Sequence, residues 1–170
     1  MALTVSALNK QLKSEVKNLY LFYGEEKYLH NLYVERIKKA VLQGPLAQFN
    51  FSVFEENSAS FERFSNEINT FPQMADKKLI LLKNTDFLNS ADFQKPIEKI
   101  LNHLPDYVIL VISQYDAKKI KKPLIKTIEA KGIVAEFSKQ SIRDLRIWAG
   151  KRLGKAGKRI TNEDADFLIG

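Results

Sequence analysis

Five short apolar runs recur along the first 137 residues, and their spacing limits the fold more than any other feature of the sequence. Each run is long enough for a strand, and the segments between them have apolar residues at helical spacing. Residues 19–23, apolar on both faces of a strand, are typical of the centre of a parallel sheet. The alternation predicts a five-stranded parallel α/β sheet with flanking helices and right-handed crossovers. The five predicted strands are 19–23, 49–54, 79–83, 107–112 and 133–137.

The segments between these runs carry the start and stop signals of helices. Ser60 and Ser90 stand where a helix N-cap is expected, with Asp92 as an alternative start for the second of these helices. Pro72 ends the helix that follows Ser60, and Gly132 ends the helix before the fifth run. The predicted helices are 3–17, 25–42, the segment after Ser60, the segment after Ser90 or Asp92, and 123–130.

The alternation stops after the fifth run, and two helical segments follow it. The first spans 141–153, and Thr161 caps the second. We therefore predict a boundary near Ser138, with an α/β domain at 1–137 and the first part of a helical domain at 138–170. Because the last helix reaches the end of the sequence before it has a partner to pack on, we expect a longer protein. The residues of the first helix predicted to face inward are Ile142, Leu145, Trp148 and Ala149.

Composition excludes several classes of protein. No apolar run approaches the roughly 20 residues that span a bilayer, and the N-terminus lacks a signal-peptide pattern, so we expect a cytoplasmic protein without membrane contact. The absence of cysteine excludes disulfides and thiolate chemistry. The two histidines, His30 and His103, lie far apart in the sequence and provide no zinc ligand set. We expect no metal and no cofactor.

Basic residues exceed acidic ones, 27 to 20, and the excess is concentrated after residue 137. Residues 138–170 contain eight basic residues and four acidic ones. This distribution favours an anionic partner, nucleic acid first, although charged runs are more often solvated faces. The candidate DNA-facing residues are Lys118, Lys119, Lys121, Lys122, Lys151, Arg152, Lys155, Lys158 and Arg159.

The turn after the first strand is where a nucleotide-binding phosphate loop is expected. The pattern GxxxxGK[ST], counted from Gly24, requires Gly, Lys and Ser or Thr at three positions that hold Leu29, His30 and Asn31. Glu25 and Glu26 add negative charge where phosphates need bare backbone N–H groups. After the third strand, Lys83 and Asn84 stand where an acidic Mg²⁺ ligand is expected. We therefore expect no ATP hydrolysis and no catalytic residue.

Two apolar residues, Phe71 and Met74, flank Pro72 and Gln73 on the short connection between the predicted helix and the strand at 79–83. Connections normally run over the surface and are polar, so an apolar pair here is unusual. The sequence leaves two interpretations open at this point. Either both side chains tuck under the loop into the core, or they are exposed and contact a partner.

These stretches together resemble the delta subunit family of the bacterial DNA polymerase III clamp loader. The resemblance covers essentially the whole chain and depends on the order and spacing of several segments, together with the degraded phosphate loop. The segments are LYLFYGEEKYL (19–29), FNFSVFE (49–55), NTFPQMADKKLILLKN (69–84), LPDYVILVIS (104–113), KGIVAEF (131–137) and GKRLGKAGKRIT (150–161).

The resemblance implies an AAA+-like domain of the P-loop NTPase type without a working phosphate loop, then a helical lid domain, with a C-terminal collar domain absent here. It implies a non-catalytic subunit that binds and opens the ring-shaped DNA sliding clamp, the beta subunit. Other clamp-loader subunits and primer-template DNA are the further partners it implies. Family members insert two apolar residues into the clamp, which map onto Gln73 and Met74, with Phe71 and Pro72 adjacent. The chain departs from the family at Gln73, where Leu or Phe is usual.

Two alternatives remain from the residues alone. One is a nucleic-acid-binding module that uses the basic lid segment and Lys118–Lys122 without clamp contact. The other is an enzyme with an unfamiliar site near the strand ends. Clamp binding alone accounts for both an apolar loop pair and a degraded phosphate loop.

Overall fold

All five predicted strands are present and form one parallel sheet in the order β2-β3-β4-β1-β5. The computed structural model describes residues 2–56, 59–116, 118, 120–139 and 141–169. The predicted fold class, a parallel α/β sheet with flanking helices, is confirmed. The strands are β1 Leu19–Tyr23, β2 Phe51–Glu55, β3 Lys78–Lys83, β4 Val108–Gln114 and β5 Ile133–Glu136.

Two helices of the α/β unit begin at the caps predicted from the sequence. Ser60 and Ser90 accept hydrogen bonds from the N–H groups of Arg63 and Asp92, so Ser90 is the start of its helix. The helices are α1 Val5–Ser14, α2 Lys27–Val41, α3 Phe61–Asn69, α4 Ala91–Asn102, α5 Lys122–Lys131, α6 Ile142–Lys155 and α7 Asn162–Ile169. None of the described helices is long and apolar enough to span a membrane.

Most element boundaries differ from the predicted ones by one to three residues, and contacts that periodicity does not reveal explain two of these differences. The first helix starts at Val5 rather than residue 3, since the N–H of Leu3 donates to the Val134 carbonyl at 2.7 Å and Leu3 bridges to β5. The second strand starts at Phe51 rather than residue 49, because Ala47–Asn50 forms a short 3-10 helix.

Helices cover both faces of the sheet. Along β1, Leu19 and Leu21 belong to one side of the core, whereas Tyr20 and Phe22 belong to the other. The first side packs against α3, α4 and α5 through Phe64, Ile68, Ile97, Leu101, Leu124 and Ile128. The second packs against α1 and α2 through Leu8, Leu29, Tyr33, Val34 and Ile37. The sheet is therefore buried between helices on both faces.

The chain divides into two compact units, Met1–Ser138 and Lys139–Gly170. In the second unit α6 packs on α7, and Ala165 is buried. The prediction that Ile142 and Trp148 face inward is wrong, since their side chains are 60% and 41% exposed. Two short helices cannot surround a large side chain, and Trp148 instead lies under the Arg152 guanidinium, 5.4 Å from its ring centre.

Candidate functional site

In an all-parallel sheet every strand begins at the same edge, here called the amino edge, and ends at the opposite, carboxyl edge. The α3–β3 loop, residues 70–77, enters β3 at the amino edge, where Asn50 precedes β2 and Tyr107 precedes β4. Gly24, which follows β1, lies at the carboxyl edge. The sheet therefore separates the apolar loop pair from the degraded phosphate loop.

The α3–β3 loop carries two large apolar side chains on the surface. Phe71 is 78% exposed and Met74 is 91% exposed, so the interpretation that they tuck into the core is wrong. Gln73 is also exposed, and Pro72 is half-buried. The Phe71 ring lies against Tyr107, with ring centres 4.9 Å apart. The four residues that the sequence singled out thus form one surface segment.

Asn50 fixes the middle of this loop. Its buried side chain accepts a hydrogen bond from the Gln73 N–H at 2.6 Å and donates one to the Gln73 carbonyl at 2.9 Å. Sequence reasoning did not identify Asn50 as part of the site. The sequence gives one signal for Asn50, which is its position as a polar residue between Phe49 and Phe51. It does not show which distant residue Asn50 contacts.

Lys78 fixes the end of the loop that joins β3. It is buried, and its ammonium group donates to the carbonyls of Glu67 and Thr70 at 2.7 and 3.2 Å. It also pairs with the Glu67 carboxylate, which accepts a hydrogen bond from Ser52 at 3.0 Å. A cation at these carbonyls satisfies the open end of α3 and complements its dipole. Sequence reasoning missed this role, since Lys78 reads as a polar residue before a strand.

At the carboxyl edge, the turn after β1 is closed by the protein's own hydrogen bonds. The N–H of Gly24 donates to the Gln114 carbonyl at 3.1 Å, and that of Glu26 donates to the Phe137 carbonyl at 3.0 Å. Gly24 has φ +121°, and an added Cβ would lie 2.4 Å from the Phe137 carbonyl oxygen. Glycine is therefore required here for close approach of two backbone segments. A phosphate loop, in contrast, leaves its N–H groups free for the ligand.

His30, at the position of the phosphate-loop lysine, is completely buried on α2. Its Nε2 lies 2.9 Å from the Gly24 carbonyl and its Nδ1 lies 2.8 Å from the Ser113 hydroxyl. Because a carbonyl only accepts, Nε2 carries the proton and Nδ1 accepts from Ser113. Burial lowers the pKa of His30 to about 4, and the hydrogen bond to Gly24 opposes part of that shift. The neutral ring thus links the turn to β4.

The candidate basic residues fall in both units. Lys118 and Lys122 are exposed, but Lys121 is half-buried and its ammonium donates to Gln94 at 2.9 Å. In the second unit the exposed ones are Lys151, Arg152, Lys158 and Arg159. Lys119 and the side chain of Lys155 lie outside the described residues. The described residues contain no group of three or more acidic or histidine side chains placed to hold a metal ion.

The strand order gives the Met1–Ser138 unit an AAA+-like fold, and its turn after β1 lacks the phosphate-loop sequence pattern. Solved AAA+-type structures share this fold. One is the RuvB branch migration motor of Thermotoga maritima, with a TM-score of 0.56 at 15% identity over 95% of this chain and 54% of that one. A gamma subunit-related protein of DNA polymerase III, also from Thermotoga maritima, gives 0.55 at 14% identity, over 88% of this chain and 52% of that one.

The model of the DNA polymerase III delta subunit family matches residues 20–138, and the chain belongs to that family. The DNA polymerase III subunit delta of Bacillus subtilis is 26% identical to it, over 92% of this chain and 48% of the relative. The structure of the Bacillus subtilis DNA clamp loader delta protein matches with a TM-score of 0.74 at 24% identity, over 95% of this chain and 50% of that one. The chain thus spans about half the length of these relatives.

Proposed function

We propose that the chain binds the ring-shaped DNA sliding clamp through the α3–β3 loop and opens it, as a non-catalytic subunit of a clamp loader. The observation that carries this proposal is the exposure of Phe71 and Met74 on a loop that buried polar contacts hold in place. An exposed pair of large apolar side chains on an ordered loop is typical of an interface anchor, in which few residues provide most of the binding energy. Membership of the delta subunit family supports the sliding clamp as the partner.

Gln73 is the point at which the loop departs from the family pattern, since its side chain is polar where Leu or Phe is usual. Its backbone is held by Asn50, while its side chain is exposed. Phe71 supplies a second apolar side chain two residues earlier. Met74 and Phe71 therefore form the anchor in this proposal. Methionine suits an irregular apolar pocket because it is unbranched and polarizable.

The closed turn at Gly24 supports a subunit that does not hydrolyse ATP itself. Its N–H groups are bonded to carbonyls of the protein, and His30 stands where a phosphate-binding lysine is needed. In the proposed mechanism, partner subunits supply the ATPase cycle and this chain supplies the clamp contact. Those subunits and the primer-template DNA inside the assembled loader are the other proposed partners.

The test of this proposal is Met74→Ala in a clamp-binding titration against the sliding clamp of the source organism. Truncation of an interface anchor costs about 2 kcal/mol or more, so we expect roughly thirtyfold weaker binding. The free energy of unfolding should change by less than about 1 kcal/mol, because an exposed side chain leaves no cavity. Phe167→Ala, which removes a side chain of similar exposure from α7, is the matched control.

A Met74→Ala variant that binds the clamp as tightly as the wild type contradicts the proposal. So does a loss of about 2–5 kcal/mol of stability with normal clamp binding, because that result is expected of a core residue. Gln73→Leu is the companion variant, since it restores the apolar residue usual in the family. We expect it to tighten binding, and no gain would assign the anchor to Phe71 and Met74 without Gln73.

A second candidate function is binding of nucleic acid through the basic residues. The observation that favours it is the exposed arginine and lysine side chains of α6 beside the half-exposed Trp148, over which Arg152 lies. Aromatic and basic side chains together are typical of single-strand binding surfaces. Affinity for DNA measured over a range of salt concentrations tests it, because each phosphate contact steepens the log–log slope. A flat slope contradicts it.

A further inference from the structure

Asn50 is a buried polar residue with phenylalanines on both sides in the sequence. Burial of a side-chain amide is unfavourable unless its donor and acceptor are both hydrogen-bonded. Both are, and the partner is the backbone of Gln73, 23 residues further along the chain. A weaker contact, at 3.4 Å, joins the same amide to the Leu46 carbonyl. The two strong hydrogen bonds of this amide therefore join it to the α3–β3 loop and not to β2, the strand that follows Asn50.

The two strong hydrogen bonds hold two different peptide planes. The Gln73 N–H belongs to the peptide that joins Pro72 to Gln73, and the Gln73 carbonyl belongs to the peptide that joins Gln73 to Met74. One rigid, planar amide therefore fixes the orientation of the backbone on both sides of Gln73, at 2.6 and 2.9 Å. The second of these planes sets the direction in which the chain enters Met74.

Met74 has φ +48°, a left-handed conformation that is unfavourable for a residue with a Cβ. Conformations of this kind persist where surrounding contacts hold the backbone in place, and they occur often at binding sites. Met74 is 91% exposed, so packing of its own side chain does not hold it. The adjacent peptide, held by Asn50, provides such a contact.

We infer that Asn50 is a positioning residue that holds Gln73 and thereby presents the Met74 side chain to the partner protein. This inference rests on the proposed clamp binding by Met74. A loop that is already ordered loses less conformational freedom on binding than a mobile one, so its anchor binds more tightly. Lys78 and Tyr107 hold the two ends of the same loop, and Asn50 holds the centre.

The experiment compares Asn50→Ala, Asn50→Asp and a matched control, Asn84→Ala, in the 170-residue chain. Asn50→Asp keeps the acceptor for the Gln73 N–H but places a carboxylate against the Gln73 carbonyl. Asn84 also holds a loop through its side chain, since it accepts from the Tyr115 N–H at 2.9 Å, but it lies at the carboxyl edge. The control therefore loses one side-chain hydrogen bond, at a residue that also has positive φ (+52°), without change to the α3–β3 loop.

Two readouts report on the loop without the clamp. Hydrogen exchange of the Gln73 amide should speed up most in Asn50→Ala, and less in Asn50→Asp, which keeps the acceptor, relative to core amides such as that of Val111. It should stay as in the wild type in Asn84→Ala. The ¹³C-labelled methyl group of Met74, one of two methionines, should become more mobile. Clamp binding by the Asn50 variants should weaken roughly tenfold. This corresponds to the free-energy cost of ordering one or two side chains on binding.

The outcomes separate this inference from the proposed function. One outcome supports both the inference and the proposed function. In it, Gln73 exchange is fast in the Asn50 variants, and clamp binding is weaker in the Asn50 variants and in Met74→Ala. Fast Gln73 exchange in the Asn50 variants, with normal clamp binding by Met74→Ala, supports the loop-holding role of Asn50 but overturns the proposed clamp contact. Unchanged Gln73 exchange and unchanged clamp binding in Asn50→Ala overturn the inference, even where Met74→Ala loses binding.

Discussion

His30 stands where the phosphate-loop pattern requires lysine, and its side chain has a structural role. A lysine at its position would carry a positive charge towards phosphates, whereas the neutral imidazole joins the Gly24 carbonyl to the Ser113 hydroxyl. The ring also makes edge contacts with Tyr115 and Phe137, each with ring centres 5.0 Å apart. The sequence identified the missing lysine, but it did not show that the replacement is buried and bonded at both nitrogens.

We expect His30 to make the fold sensitive to acid. Its pKa is lowered by burial to about 4, below the value of about 6.5 for an unfolded chain, so the unfolded state binds more protons between these values. Its contribution to stability is complete above about pH 6.5 and is lost as the pH falls towards 4, by on the order of 3 kcal/mol. Urea unfolding of wild type and His30→Gln at pH 7 and 4 measures this.

The His30→Gln variant cannot titrate at this position, so its stability should fall less than that of the wild type over the same range. His103→Gln is the matched control for loss of an imidazole, since His103 is exposed beyond the end of α4. Equal acid sensitivity in wild type and His30→Gln would show that the buried ring takes up a proton as readily in the folded chain as in the unfolded one, contrary to this account.

At the scale of elements, the α3–β3 loop is ordered by contacts from the strands beside it rather than by its own residues. Lys78 joins the end of α3 to the start of β3, and Asn50 joins the 3-10 helix before β2 to the same loop. Loops of this length are usually mobile at their tips, because few contacts hold them. Here two buried polar side chains supply those contacts beneath the apolar surface.

Lys78→Met tests the ordering of the loop by the strand. The variant keeps an unbranched apolar chain but removes the donor to the carbonyls at the end of α3 and leaves the Glu67 carboxylate with only its hydrogen bond from Ser52. We expect a loss of about 2 kcal/mol in the free energy of unfolding, measured in urea. Lys77→Met, which removes a single bond to the Asp106 carbonyl, should cost under about 1 kcal/mol. Equal losses in the two variants would refute a special role for Lys78.

The elements that the sequence predicted closely are those that local signals specify. The bounds of β1 match the predicted 19–23, and Thr161 accepts from the Asp164 N–H at 3.1 Å as a helix cap. Side-chain period and caps are read within a few residues, which explains this success. Ile142 and Trp148 were predicted wrongly because helical spacing identifies an apolar stripe but not whether a second element covers it.

The candidate site was predicted in part for the same reason. An apolar pair on a short connection was visible in the sequence, and so was the missing phosphate-loop pattern. The sequence does not show that Asn50 and Lys78 contact the segment around Phe71 and Met74. Asn50 lies far from it in the sequence, and Lys78 reads as an ordinary polar residue. Hydrogen bonds between distant residues leave no periodic signal, so the supporting residues of the loop became visible only in the structure.

At the scale of the whole molecule, we expect no tight complex with ATP. The N–H groups of Gly24 and Glu26 are bonded to Gln114 and Phe137, and a nucleotide phosphate would have to break those bonds. Calorimetric titration with ATP and Mg²⁺ should show no heat of binding, with an ATPase of the same fold as the positive control. A stoichiometric complex with a micromolar Kd would contradict this expectation.

We also expect the two edges of the parallel sheet to be energetically independent. The six residues of β3 span about 20 Å between the edges, at roughly 3.3 Å per residue. Substitutions more than about 10 Å apart with no shared partner usually have additive free energies. In a double-mutant cycle of Met74→Ala and His30→Gln, the changes in the free energy of unfolding should therefore add, with a coupling energy near zero. A series of substitutions in the α3–β3 loop could then change the affinity for the partner step by step, while the loss of stability at acid pH stays the same.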